Sequence, residues 1–107
     1  MKIKYYDLNH ITMNSSQRKK IKTLAHHLDP VFNIGKEGFT EGAAYSISEN
    51  LKKNELIKVK FSQYKDKKKE IAEEIAIKTN SQLISIIGNI LILYKKSKDP
   101  QNRQIKV

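Results

Sequence analysis

The chain has no cysteine and no tryptophan, few prolines and glycines, and eleven acidic residues against twenty-one lysines and arginines. Without cysteine there is no disulfide framework, no thiolate nucleophile and no thiolate metal site. No apolar run is long enough to span a bilayer, because the best of them, ISIIGNILILY, is broken by Ser85, Gly88 and Asn89. The first ten residues, MKIKYYDLNH, lack the apolar stretch and small-residue cleavage site of a secretory signal, so a cytoplasmic protein is expected. The shortage of acid leaves a formal charge of +10 on 107 residues. Such an excess speaks of partners rather than of fold: nucleic acid, an anionic membrane surface or an acidic protein.

What is present suits a single soluble globular domain, with 38% hydrophobic and 30% charged residues. Residues 1–13 show no clean period and read as an N-terminal extension, partly ordered by Ile3, Tyr5, Tyr6 and Leu8. A helix starts at Asn14 or Ser15. Ile21, Leu24, Ala25 and Leu28 recur at helical spacing, and Pro30 stops the run. Beside that face stand Arg18, Lys19, Lys22 and His26, and no acid lies between Asn14 and Leu28 to pair with them. A short strand over 31–34 follows, then a second helix from about Thr40 to Lys53 that buries Ala43, Ala44, Ile47 and Leu51. Tyr45 lies nearly opposite that face, as a solvated aromatic.

The segment ELIKVKF alternates, with Ile57, Val59 and Phe61 inward and Lys58 and Lys60 outward, so it reads as a half-buried strand with a basic outer face. After the polar loop SQYKDKKK a third helix spans about 66–79, burying Ile71, Ala72, Ile75 and Ala76. Its outer face carries Glu70, Glu73 and Glu74, with Glu74 spaced to pair with Lys78. Strands at 83–87 and 90–94 are joined by Gly88-Asn89, a two-residue hairpin signal. Alternation through that turn places Ile84, Ile86, Leu91 and Leu93 on the core face. Leu83, Ile87, Ile90, Ile92 and Tyr94 fall on the other face, which needs partial cover from the first helix or the N-terminal extension. Residues 98–107 read as a basic, mobile tail. The order α-β-α-β-α-β-β, with two right-handed crossovers and a closing hairpin, predicts an α/β fold with a four-stranded mixed sheet packed by helices.

The stretch PVFNIGKEGFTE carries the strongest functional signal. Gly35 and Gly38 permit positive φ and close backbone approach, Lys36 adds a cation, and Thr40 is a helix N-cap with N–H groups behind it. This layout can cradle a phosphate, although Glu37 puts a negative charge inside it and the same glycines could serve only to turn the chain. It is not a nucleotide-hydrolysing P-loop, since the longer glycine spacing and the Lys-Ser/Thr pair are missing. The adjacent His26 and His27 point to different sides of a helix and make a poor metal chelate. With no G-x-S-x-G elbow and the three glutamates on an outer face, no catalytic residue, metal or cofactor is expected.

QRKKIKTLAHHLDPVFNIGKEGFTEG, NELIKVKF and SQLISIIGNILILYKKS together resemble the CRM domain in its small stand-alone bacterial form, the YhbY family. The resemblance spans about residues 14–97. It implies an RNA-binding α/β domain similar to the C-terminal domain of translation initiation factor three, associated with precursors of the large ribosomal subunit. The family's glycine loop maps onto Gly35, Lys36, Glu37 and Gly38, its basic first helix onto Arg18, Lys19 and Lys22, and its closing basic motif onto Tyr94 and Lys95. Three positions depart from the family pattern: Phe39 stands where leucine is usual, Asn54 where histidine is common, and Lys95 where arginine is common. The last exchange loses a bidentate fork.

The expected function is therefore RNA binding in assembly of the large ribosomal subunit, by a monomer without a small-molecule substrate. The expected contacts are Arg18, Lys19, Lys22, Gly35, Lys36, Glu37, Gly38, Thr40 and Tyr94, with Lys58, Lys60, Lys95 and Lys96 extending the track. The rival expectation is a non-catalytic basic adaptor docking on acidic protein or anionic lipid.

Overall fold

The computed structural model describes residues 13–103 and residue 105. The expected extension, with Ile3, Tyr5, Tyr6 and Leu8, lies outside the described residues up to residue 12.

Helix α1 spans Ser15–Ala25 and starts at a capping box. The Asn14 side chain accepts from the Gln17 amide at 2.8 Å, and the Gln17 side chain accepts from the Asn14 amide at 3.0 Å. Two of the helix's orphan donors are satisfied this way. The helix ends earlier than Pro30 suggested, with Leu28 N–H donating to Ala25 O in a closing turn. Ile21 and Ala25 are buried as expected, but Leu24 and Leu28 are 43% and 36% exposed. For Leu28 the cause is the early stop, since beyond Ala25 the chain no longer follows the helix; Leu24, inside the helix, sits at the edge of the face that Ile21 and Ala25 bury.

Strand β1 (Phe32–Ile34) leads through the glycine loop to α2 (Glu41–Lys53), and β2 (Leu56–Phe61) returns beside it. A single 3₁₀ turn over Lys65–Lys67 precedes α3 (Lys68–Thr79), which Asn80 ends in a left-handed conformation. The hairpin is β3 (Gln82–Ile87) and β4 (Ile90–Tyr94), turned through Gly88 at φ 61°. The four-stranded sheet has the order β1-β2-β4-β3. Strands β1 and β2 are parallel, whereas β4 runs antiparallel to both β2 and β3. The first crossover, through α2, joins neighbouring strands; the second, through α3, leaves a gap that β4 fills on its return.

Helices α2 and α3 cover one face of the sheet. Ile47, Leu51, Ala72 and Ile75 pack there against Ile34, Ile57, Val59, Phe61, Leu91 and Leu93. This is the main hydrophobic source of stability, at about 1.5–3 kcal/mol for each large side chain fully buried. On the opposite face α1 lies alone, and Met13, Ile21 and Ala25 form a second cluster with Leu56, Ile84, Ile92 and Tyr94. The first helix thus supplies the cover that the apolar second face required.

The hairpin faces differ from simple alternation. Leu83 pairs with Leu93 and Ser85 with Ile92, so the register slips at Ile84. This β-bulge sets two residues of β3 against one of β4. Ile86 keeps the core face, but Leu83 joins it there and Ile84 moves to the α1 side. The side-chain period of two restarts at the bulge, which exchanges the expected faces of Leu83 and Ile84.

The tail beyond β4 carries specific contacts. Glu55, only 1% exposed, accepts from the Ser97 amide at 2.6 Å and the Ile105 amide at 3.0 Å. The Arg103 Nε donates to Ser97 O, and Ile105 packs against the second cluster. Lys78 reaches Glu41 at 3.6 Å rather than the expected Glu74, so that pair joins α2 to α3 instead of adjacent turns of one helix.

Candidate nucleic-acid interface

The glycine loop is a tight turn. Gly38 N–H donates to Gly35 O at 3.0 Å, with Lys36 and Glu37 at the corners. Gly38 has φ 74°, the left-handed region that disfavours any residue with a Cβ. Gly35 does not share this need: its φ is not positive, and a Cβ there would meet nothing nearer than the Asn33 side chain at 4.0 Å. The expected use of positive φ therefore holds at one of the two glycines.

Thr40 is the N-cap of α2, with its hydroxyl accepting from the Ala43 amide at 3.1 Å. Lys36 and Glu37 are exposed, and among the described residues neither has an ion pair nor an acceptor for its amide. A helix start, two open corner amides and a free ammonium make a site suited to an anion, with the Glu37 carboxylate at its margin.

The segment after β2 braces this loop. Ser62 and Gln63 amides donate to Ile34 O, and the Ser62 hydroxyl donates to Asn33 Oδ1 at 2.6 Å. Tyr64 sits at φ 56°, unusual for a bulky residue, and its hydroxyl donates to Lys36 O at 2.7 Å. This contact joins residues far apart in the chain, and the polar loop SQYKDKKK offered no signal for it beyond its positive charge.

Along β2, the α1-facing positions run from Leu56 beneath α1, through Lys58, to Lys60. Lys60 is exposed and opposite Asn33, which Ser62 ties to the loop region. One face of the sheet thus carries Lys60 directly toward the end where Lys36 stands. Lys19 and Lys22 are exposed on α1, which lies over the same face. The glutamates Glu70, Glu73 and Glu74 are exposed on α3, on the other side of the sheet.

Other expected contacts have their charge committed elsewhere. The Arg18 guanidinium donates to Leu83 O and Ile84 O, both at 3.2 Å, holding the carbonyls at the bulge. The Lys58 ammonium donates to Leu28 O at 2.9 Å and His26 O at 3.5 Å, where α1 ends and its carbonyls need donors. The Lys95 ammonium donates to Thr79 O at 3.1 Å at the end of α3. Burial, followed by the charges of Lys98 and Lys52, pushes the Lys95 ammonium below its ordinary pKa.

Tyr94 is a correction to the expected contact set. It is 3% exposed within the second cluster, where α1 and the bulge cover it, and burial pushes its hydroxyl above the ordinary phenol range. Lys95 and Lys96 follow β4 at the end of the sheet away from the loop, since Tyr94 pairs with Leu56 whereas the loop follows Ile34 opposite Phe61. The six residues of β2 put roughly 17 Å between those ends. The fold therefore brings Lys60 to the glycine-loop end and leaves Lys95 and Lys96 at the other.

Among the described residues, no group of three His, Asp or Glu side chains is placed to hold a metal ion, and no helix is long and apolar enough to cross a membrane.

The family model for the CRS1 / YhbY (CRM) domain matches residues 13–95. The chain is 38% identical over 96 residues to "Probable RNA-binding protein YqeI" of Bacillus subtilis, a match covering 89% of this chain and 98% of that protein. It is also 38% identical over 89 residues to "RNA-binding protein" of Haemophilus influenzae, covering 82% and 90% of the two chains. The solution structure of the hypothetical protein SAV1595 from Staphylococcus aureus is similar, with a TM-score of 0.74 at 35% identity. That match covers 89% of this chain and all of the other.

Proposed function

The chain belongs to the CRS1 / YhbY (CRM) domain family, and from that premise we propose that it binds structured ribosomal RNA in the cytoplasm and assists assembly of the large ribosomal subunit. The names of its relatives support RNA as the anion. The observation that carries the reading is the open Lys36 on the turn at the start of α2, without an ion pair among the described residues, with exposed Lys60 on the strand leading there. The loop amides and Lys36 grip one phosphate, Lys60 a neighbour, and Lys19 and Lys22 a further stretch of backbone. Such contacts position the protein without reading sequence, so selectivity comes from RNA shape and unpaired bases. The protein acts by binding, not catalysis.

A salt titration with a ribosomal RNA fragment tests this. Affinity falls steeply with ionic strength, and Lys36→Ala and Lys60→Ala each flatten the logarithmic slope by about one unit while leaving the melting temperature in place. Salt-independent binding, or a Lys36→Ala protein with the parent's slope, would overturn the proposal. Gradient sedimentation of a cell extract places it in assembly: comigration with large-subunit precursors at low salt, lost at high salt, is expected.

One feature favours a second reading. Leu24, Leu28 and Val31 are exposed together beside an open groove near the basic helix, as an adaptor for anionic lipid would require. Co-sedimentation with acidic liposomes in competition with structured RNA separates the two, and preference for RNA is expected.

A further inference from the structure

We infer that Tyr64 is a stacking site for an unpaired RNA base next to the phosphate held by the glycine loop. This rests on the RNA-binding reading above and adds a second kind of contact to it.

A stacking platform needs an aromatic ring that is open on one side and held on the other, so that little freedom is lost when a base settles on it. Tyr64 is held at three points. Its backbone is in the left-handed region, its hydroxyl donates to Lys36 O at 2.7 Å, and its ring stands against Gly38. A Cβ added at Gly38 would lie 3.5 Å from Tyr64 Cε2 and 3.7 Å from Cζ. The glycine thus admits the ring edge as well as the left-handed turn. Despite these contacts the residue remains 41% exposed.

The ring stands beside the loop whose corner amides and Lys36 face the anion, within the reach of one nucleotide. A base flanking a phosphate gripped there is in position to lie on the ring. Ring faces accept any base, so the contact selects single-stranded over paired RNA rather than one sequence over another. The surroundings suit the charge of such a strand, with Lys65 and Lys67 exposed in the following turn. Tyr45, the more exposed tyrosine at 68%, lies on α2 and has none of this bracing among the described residues.

The test compares a stem-loop RNA carrying 2-aminopurine in its unpaired loop with a blunt duplex of the same stem. Parent protein is expected to quench the aminopurine fluorescence on binding and to prefer the stem-loop. Tyr64→Leu, which keeps apolar bulk but removes the ring, is expected to lower the ratio of stem-loop to duplex affinity by about tenfold. Tyr64→Phe, which keeps the ring and removes the anchoring hydroxyl, is expected to restore most of that ratio. An unchanged ratio in Tyr64→Leu would overturn the inference, as would an equal fall in Tyr64→Phe and Tyr64→Leu, which would make the residue only a prop for Lys36. Absence of quenching in the parent complex overturns it without any variant. Failure of the RNA-binding reading is distinct: the parent then binds neither RNA with salt dependence.

Discussion

Lys36 and Lys60 at the glycine-loop end of the sheet and Lys95 at the far end use their charge in opposite ways. At the glycine-loop end, Lys36 and Lys60 are exposed and, among the described residues, make no ion pair. At the far end Lys95 is half-buried, donates to Thr79 O, and stands where the buried Glu55 carboxylate gathers the amides of the tail. The lesson is that a charge of +10 is not uniformly available to a partner. A cation next to unpaired helix or bulge carbonyls is a structural donor, and only those on open turns and strand faces are free to meet a phosphate.

The strongest way to sharpen this contrast is Glu55→Ala. It leaves the Ser97 and Ile105 amides without their carboxylate, and the loss is expected to cost about 3 kcal/mol in urea unfolding. RNA affinity measured under folding conditions should stay at the parent value, because the glycine-loop end is untouched. A fall in affinity matching that of Lys36→Ala would join the two ends into one surface and break the distinction.

Next comes Arg18→Met, which keeps the stem of the side chain and removes the donor to both bulge carbonyls. A loss of about 2 kcal/mol is expected, with a smaller effect on the salt slope of RNA binding than Lys36→Ala produces. If stability is unchanged and the slope drops by a full unit, Arg18 belongs with the RNA-facing cations.

The smallest effects separate the two glycines. Gly38→Ala is strained at φ 74° and should cost about 1 kcal/mol, with weaker RNA binding, since the loop must shift to accept the side chain. Gly35→Ala, with no positive φ and open space around its Cβ, should change thermal stability by less than about 0.5 kcal/mol. An equal loss of RNA affinity in the two variants, with Gly35→Ala still as stable as the parent, would show that Gly35 is needed for close approach of the RNA itself.

Much of the architecture was legible from spacing alone. Asn14, Thr40 and the Gly88-Asn89 turn marked element boundaries that the structure places within a few residues, because caps and turns act on the backbone immediately beside them. The buried sets of α2 and β2 matched their periods for the same reason. The faces of Leu83 and Ile84 were not legible, since one extra residue at the bulge reverses the alternation without altering composition. Leu28 was misplaced because helix periodicity says nothing of where α1 stops bonding, and Leu24 because it sits at the edge of the face that Ile21 and Ala25 bury.

Within the candidate site the local part was readable and the assembled part was not. Gly38, Lys36 and Thr40 are near neighbours in the chain, so their turn and cap could be inferred directly. The brace from Tyr64 to Lys36 joins the ends of two parallel strands, a proximity that exists only after β1 and β2 pair. The duties of Arg18, Lys58 and Lys95 follow equally from what packs above them.

From the amino-acid order alone came the elements, the two-sided apolar demand of the hairpin, the glycine turn and the excess of positive charge. These depend on residues a few positions apart, where backbone geometry and side-chain period act directly. Only the tertiary structure decided which cations remain open, why Tyr94 is buried and why Tyr64 stands beside the loop. Those outcomes depend on strand register and on the carbonyls left unpaired at a bulge and at helix ends, which exist only once distant segments have packed together.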